Sequence, residues 1–316
     1  MDLLVLPGSG PLGVAATVDL AEALARSRHT GHRPAVDIRV VGGDGGTVAL
    51  RGGLSVSATP LSEAGSARPW IVIPGIGCSA ATEIERRLAE PDVRAASRWL
   101  ADARGSRIAA SCTGTFLAAE AGVLADRNVT TTWWLAGVFA RRYPTCRVDA
   151  DRMLVRDPPV ITAGAALGHV DLLLAIVDEV LGSAVASSVS ARIAVAPRIS
   201  QTPFRRSEAY RDIDPDLAAV ERYVLDRLDS PIRLTDLAAA THLSSRTLAR
   251  RIHATTGLPP IQFVQRIKVE AALDLLRDPH RSIADVARAV GLADASALNR
   301  LLRRTTGKPP GAFRSA

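Results

Sequence analysis

The sequence predicts two domains of different class. The first is α/β, flavodoxin-like, with a mostly parallel sheet covered by helices on both faces; the second is all-α with two helix-turn-helix units. Three observations carry this expectation. Through residue 195, short apolar runs ending in Pro-Gly or Gly-Gly alternate with stretches of helical periodicity. From Asp216 onward strand signals vanish and everything has helical spacing. In that last third one short basic pattern occurs twice, about fifty residues apart. A chain of 316 residues is also long for a single core.

The elements follow in order. Leu3 to Leu6 is an apolar run stopped by Pro7-Gly8, which predicts a buried strand. Val14 to Arg26 has helical spacing. Ala35 to Val41 is β-branched and stops at Gly42-Gly43. Thr47 to Arg51 and Ser55 to Ser57 predict a small hairpin. Trp70 to Ile73 is a strand ended by Pro74-Gly75. Asp92 to Arg104 is helical, with Pro91 near its start. Ile108 to Ala110 is a short strand running into Ser111-Cys112-Thr113-Gly114 and a helix through Ala121. Trp133 to Arg142 is helical, Leu154-Val155 and Val160 to Thr162 are short strands, and Gly168 to Leu181 is a long apolar helix.

Ala196 to Pro215 breaks this alternation with three prolines and mixed charge, so domain one spans 1–195 and a linker 196–215. Domain two, 216–316, is punctuated by Pro231, Pro259-Pro260, Pro279 and Pro309-Pro310. Charge divides at the same place. The chain has net charge +7, and Asp216 to Ala316 alone, with 16 Lys+Arg against 10 Asp+Glu, carries +6 of it. The C-terminal domain is therefore the polyanion binder, on a nearly neutral partner. Only Lys268 and Lys308 are lysines.

Cys78, Cys112 and Cys146 are odd in number and show no metal spacing, so no metal and no cofactor is expected. Met1 leads straight into a strand, and no apolar run reaches the roughly 18 residues that span a bilayer. The expectation is a cytoplasmic protein with reduced thiols and no membrane partner.

In open α/β sheets ligand sites lie at the carboxyl ends of strands. Two such ends carry a signature here: Pro74-Gly75-Ile76-Gly77 and Ala110 to Gly114. The second places Cys112 on a sharp strand-to-helix turn, a nucleophile-elbow arrangement in which a helix N-terminus favours a thiolate. Residues 1 to about 195 resemble the class I glutamine amidotransferase-like superfamily, in its PfpI/ThiJ branch. The matching landmarks are Leu6-Pro7-Gly8, Ile73-Pro74-Gly75, the elbow with Ala118, Ala119, Ala121, Gly122 and Leu124, then Val129-Thr130-Thr131, Arg141 to Pro144 and Ile161 to Gly164.

Two departures bear on activity. Regulators of this type have a Thr-Thr-His-Trp segment after the elbow; here Thr131-Thr132-Trp133-Trp134 puts Trp133 in the histidine's place. Enzymes of the superfamily use an acidic residue just after the first strand; here Ser9 to Gly13 carries no carboxylate, and Asp19 and Glu22 lie further along the helix. His169, at the start of the long helix, is taken as structural. A nucleophilic cysteine needs a base and an orienting partner. The resemblance therefore implies a vestigial elbow with no catalytic residue. Gly75, Ile76, Cys112, Thr113 and Trp133 remain as an expected pocket for a small effector. The apolar helix Val170 to Leu181 is either a core helix or part of a dimer interface.

In the last third, Leu237, Ala238, Leu243 and Leu248 supply the apolar skeleton of one helix-turn-helix (about 234–256). Val286, Ala287, Leu292 and Leu298 supply that of another (about 283–306), with Gly291 at the turn. Each is followed by Thr-Thr-Gly-x-Pro-Pro, at 255–260 and 305–310. Pro215 to Arg314 resembles the AraC-type DNA-binding domain, with Ile283, Ala287, Gly291, Ser296, Leu298, Arg300, Gly307, Pro309 and Phe313 as its signature. Leu302 stands where an aromatic is common. The resemblance implies that one long helix, about Pro260 to Arg277, joins the units so that both enter successive major grooves.

Side-chain chemistry then assigns roles. Ser245, Arg246, Thr247 and Arg250, and in the second unit Asp294, Ser296, Ala297, Asn299, Arg300 and Arg303, are the expected groove-facing set, since Arg reads guanine and Asn adenine. Arg251, Arg304 and Lys308 are expected at phosphates. The sequence thus points to a DNA-binding transcription regulator whose first domain dimerises, senses an effector, or both. Its partners would be double-stranded DNA, a second copy, a small effector and, for an activator, RNA polymerase. Two rivals stand beside it: a thiol redox regulator acting through Cys112, and a cysteine hydrolase or amidase tethered to a DNA-binding domain.

Overall fold

Alternation of side chains sets the central sheet of the first unit. Leu3 pairs with Val72, Val72 with Ala109 and Ala109 with Ile161, so one row of apolar side chains crosses four strands on the same face. The computed structural model of the chain describes residues 1–26, 37–65, 68–103, 105–211 and 213–314. The first strand, β1 (Asp2–Leu4), precedes helix α1 (Pro11–Arg26), β2 (Arg39–Val41), the hairpin β3 (Gly46–Ala49) and β4 (Ser55–Ala58), and β5 (Trp70–Ile73). Then come α2 (Ala81–Ala89), α3 (Pro91–Asp102), β6 (Arg107–Ser111), α4 (Gly114–Glu120), β7 (Asn128–Val129) and α5 (Ala136–Arg142). The unit closes with β8 (Arg147–Val148), β9 (Leu154–Asp157), β10 (Val160–Ala163), α6 (Gly168–Leu181) and α7 (Ser183–Arg192).

The main sheet has six strands in the order β2-β1-β5-β6-β10-β9, all parallel except the β10–β9 edge pair. The order runs outward from β1 in both directions, which puts a crevice beside the carboxyl ends of β1 and β5. Its core includes Leu3, Val72, Ala109 and Ile161 from the sheet, Val14, Leu20 and Leu24 from α1, and the buried run Leu172 to Val177 of α6. Helix α6 is thus a core helix along most of its length, with Val180 exposed near its end.

Several elements differ from expectation. Helix α2 was not anticipated, because its charged composition leaves only Ile84 and Leu88 buried as apolar residues. Helix α7 was hidden by a run of small residues, and β7 and β8 are too short to leave a pattern. Ala35 and Val36, expected to start a strand, and Arg104, expected to end a helix, lie outside the described residues.

The chain divides into units Met1–Gln201 and Thr202–Ala316. The expected linker, 196–215, is folded chain rather than a free tether. Residues 198–201 pack within the first unit: Arg198 pairs with buried Asp171 at 2.6 Å, the Met153 amide donates to Ile199 O, and fully buried Gln201 donates from Nε2 to Thr131 O at 2.9 Å. Beyond it, Thr202–Phe204 and Ser207–Tyr210 are short 3-10 turns of the second unit. The Ser207 amide donates to Glu270, and Tyr210 meets Phe263 edge-on at 5.9 Å.

The second unit is entirely helical among its described residues: α8 (Pro215–Leu225), α9 (Leu234–Ala240), α10 (Ser245–Thr256), α11 (Pro260–Leu276), α12 (Ile283–Ala289) and α13 (Ala295–Thr306). Pro215 and Pro260 stand at the starts of α8 and α11, where a missing N–H costs nothing. Helix α11 supplies Val269, Ala272 and Leu276 to a core completed by Val286, Ala287, Val290, Leu298, Leu301 and Leu302. No helix among the described residues is long and apolar enough to cross a membrane.

Candidate nucleic-acid interface and elbow pocket

The elbow forms because β6 ends against two neighbouring strands. The Cys112 amide donates to Ala163 O at the end of β10, and Cys112 takes φ 52, a left-handed value uncommon for a residue with a side chain. Gly114 is required two residues on. A Cβ there would lie 2.3 Å from Pro74 O and 2.7 Å from Ile73 O, so only glycine lets α4 start this close to β5.

Four of the five expected pocket residues meet here. A Cβ on Gly75 would stand 3.6 Å from Cys112 Sγ, and the Ile76 amide donates to Thr113 Oγ1 at 3.1 Å. Trp133, buried, sits edge-on to Trp134 at 5.3 Å, whose indole N–H donates to Ser79 O. The residues holding the elbow itself are threonines. The hydroxyls of Thr115 and Thr131 donate to Cys112 O at 2.7 and 3.1 Å.

The expected thiolate is not what this setting favours. Burial pushes the Cys112 thiol up, and the opposing influence of the Thr113 amide and the Thr113 and Thr132 hydroxyls is smaller. Burial likewise pushes Cys78 up to about 11 and raises Cys146. All three thiols are buried and free.

His169 is fully committed elsewhere. The Thr17 hydroxyl donates to Gly13 O at 2.8 Å, so it must accept from Nε2–H of His169, also at 2.8 Å. That tautomer leaves Nδ1 to accept from Ser111 Oγ at 2.7 Å. Desolvation lowers the imidazole pKa to about 4, so the ring is neutral. It ties α1, β6 and α6 together from behind the elbow.

Gln201 was not anticipated, since nothing in its proline-rich surroundings marks a buried amide. Its Nε2 lies within 3.2 Å of Thr130 Oγ1, Thr131 O, Ala150 O and Arg152 O. Its amide stands where a Cβ on Gly164 would be, 2.0 Å away, so Gly164 makes room for it. Its Oε1 is buried without a hydrogen-bond partner among the described residues.

In the second unit the two recognition helices begin alike. Ser244 caps α10 by accepting from the Thr247 amide, and Asp294 caps α13 by accepting from the Ala297 amide at 2.7 Å. Both end at left-handed glycines, Gly257 and Gly307. Leu248 and Leu298 are fully buried. Helical spacing then turns Arg246, Arg250, Ser296 and Arg300 outward, and all four are exposed. Ser245, Thr247, Ala297 and Asn299 are half-buried at the rim.

Some assignments shift. Asp294 is a cap, which occupies its carboxylate. Arg303 Nε donates to Asn299 Oδ1 at 3.3 Å, so these two act as a pair. Arg304 donates to Gln265 Oε1 at 2.9 Å and stays exposed, as does Lys308. Arg251, expected at a phosphate, is exposed but ion-paired: Nε lies 3.1 Å from Asp214 Oδ2, and NH1 bonds Asp216 at the N-terminus of α8. Two carboxylates next to it leave little charge to offer DNA.

Residues 237–316 match the family described as a helix-turn-helix domain. The chain is 26% identical over 285 residues to the HTH-type transcriptional regulator GlxA of Rhizobium meliloti (strain 1021), covering 89% of this chain and 86% of that protein. Its fold is similar to the crystal structure of an AraC family transcriptional regulator from Pseudomonas putida, with TM-score 0.51 and 19% identity over 61% of this chain and 97% of that one. It is also similar to a ThiJ/PfpI family protein from Pseudomonas syringae, with TM-score 0.50 and 18% identity over 76% of this chain and 89% of that one.

Proposed function

We infer that this chain, an AraC-type helix-turn-helix regulator with a PfpI/ThiJ-like N-terminal domain, reads operator DNA with α10 and α13 and is controlled by its first unit. The observation that carries the reading is the equivalence of the two recognition helices. Each starts at a side-chain cap, buries a leucine at the equivalent position, Leu248 or Leu298, and presents an exposed arginine, Arg250 or Arg300, from the same turn. Arginine at such a position can grip guanine O6 and N7 together. Arg304 and Lys308 supply sequence-independent attraction.

The N-terminal unit serves control without turnover. What supports this is a thiol kept protonated by burial and an imidazole whose two nitrogens are both spent on hydroxyls. The elbow with Gly75, Ile76 and Thr113 is the place for a small effector. Dimerisation engages the apolar groove of about 250 Å³ between α1 and α6, lined by Leu20, Leu24, Trp70, Leu173, Val177 and Val180. The protein works in the cytoplasm, and contacts RNA polymerase where it activates.

The test is selection of bound duplexes from a random library by the full chain, then footprinting. Two protected boxes about one helical turn apart are expected. A single box, or no enrichment, overturns the reading of two units on one face.

A further inference from the structure

The second unit contains one buried ammonium group. Lys268 lies in the middle of α11, and its Nζ donates to three backbone carbonyls: Leu228 O at 2.7 Å, Ser230 O at 3.1 Å and Val290 O at 3.1 Å. An ammonium has three hydrogens, so every donor is used, and no carboxylate takes part in these three bonds. The carbonyls come from two places far apart in sequence. Leu228 and Ser230 lie in the loop leading into α9, the first helix of the first reader. Val290 caps the end of α12, at the turn of the second reader.

The two backbones are almost in contact at this point. A Cβ on Gly291 would lie 2.7 Å from Leu228 O, 2.8 Å from Lys268 Nζ and 2.9 Å from Asp229 C. The equivalent position in the turn of the first reader is not a glycine. His242 takes φ 54 there with an exposed side chain. The glycine is therefore demanded by docking as well as by its φ of 69. Two facing carbonyl groups repel unless a donor stands between them, and Lys268 is that donor.

We propose that Lys268 is a positioning residue for DNA reading: with Gly291 it clamps the turn of the second reader onto the loop preceding the first, and so fixes the spacing and rotational phase at which α10 and α13 meet the duplex. The proposal rests on the two-reader function above. It differs from a stability role in what it predicts. Loss of folding lowers affinity for every duplex alike, whereas loss of phase removes discrimination between spacings.

The test uses the full chain and the duplex it selects, with two derivatives in which one base pair is inserted or removed between the protected boxes. Each change rotates one box by roughly a tenth of a turn. Wild type is expected to bind the derivatives at least about tenfold more weakly. Lys268→Met is expected to narrow that ratio to within about threefold while the box under α10 stays protected. If Lys268→Met does not fold, Lys268→Gln, whose shorter side chain cannot bridge the carbonyls of both loops, is read the same way. A variant that keeps the wild-type ratio, whatever its absolute affinity, overturns the proposal. So does a wild type that accepts all three duplexes equally. Failure of the wild type to select any duplex would instead remove the two-reader function. An amine-reactive label checks the clamp without mutation: Lys308 should react and Lys268 should not, and equal labelling of both also overturns it.

Discussion

Ser111 Oγ stands 2.7 Å from Nδ1 of His169, and that contact settles which side of the elbow the imidazole serves. The ring is a buried neutral tie, with its pKa lowered to about 4. Above the ordinary value of 6.5 neither folded nor unfolded chain binds the proton, and the group adds no pH dependence. As pH falls from 6.5 toward 4, the unfolded chain takes up a proton that the folded chain refuses. Stability of the first unit should then fall, by roughly 3 kcal/mol in full. All four tryptophans (70, 99, 133 and 134) lie in that unit, so fluorescence-monitored urea unfolding isolates it. His169→Gln should flatten the slope, at a cost in stability at every pH.

Glu270 predicts the opposite trend for the second unit. Burial raises its pKa to about 6 from 4.5. Ser207 Oγ lies 2.8 Å from Glu221 Oε1 and 2.7 Å from Glu270 Oε2, and one hydroxyl hydrogen cannot serve both. Below pH 4.5 both states are protonated at Glu270. Between 4.5 and 6 the unfolded chain ionises first, so stability declines by roughly 2 kcal/mol and stays lower above pH 6. Glu270→Gln should remove the decline, read by far-ultraviolet circular dichroism of the helical transition.

The three buried thiols should be slow nucleophiles. In native protein near neutral pH, a disulfide reagent is expected to modify Cys78, Cys112 and Cys146 at least about tenfold more slowly than free cysteine, with full reaction in denaturant. Rapid selective modification of Cys112 would revive the redox rival.

On DNA, Arg250→Ala and Arg300→Ala should each weaken specific binding by roughly 1–3 kcal/mol and relax sequence preference in one box. Arg304→Ala or Lys308→Ala should weaken binding to all sequences and lower the salt slope by about one. Arg251→Ala should leave the salt slope unchanged, because Asp214 and Asp216 already hold that guanidinium. Binding titrations across a salt series separate the three cases.

What could be read from sequence was whatever local pattern decides. Trp70–Ile73 and Gly168–Leu181 fall where hydrophobic runs and punctuation place them. The doubled helix-turn-helix follows from leucine spacing and glycine turns. The elbow's backbone bend was legible as well. Its electrostatics were not, because the threonines and strand ends that bury Cys112 arrive from β10 and from the segment after β7. Arg251 shows the same limit. Its side of α10 is clear from spacing, but the two aspartates facing it belong to the start of α8. Nothing local to Lys268 marks it as buried, because the carbonyls it serves, Leu228 O, Ser230 O and Val290 O, come from loops distant in the chain.

Gln201 and Thr202 are consecutive residues with opposite allegiance. The first is sealed among the threonines behind the elbow, and the carbonyl of the second is gripped by Arg266. Chimeras that exchange whole domains rely on a dispensable spacer, and this chain has none between these two residues. A graft cut anywhere in 198–210 would carry away a core amide or a folded turn. A workable recombinant must bring its own Gln201 pocket, with Gly164 and Thr131, or leave that joint untouched.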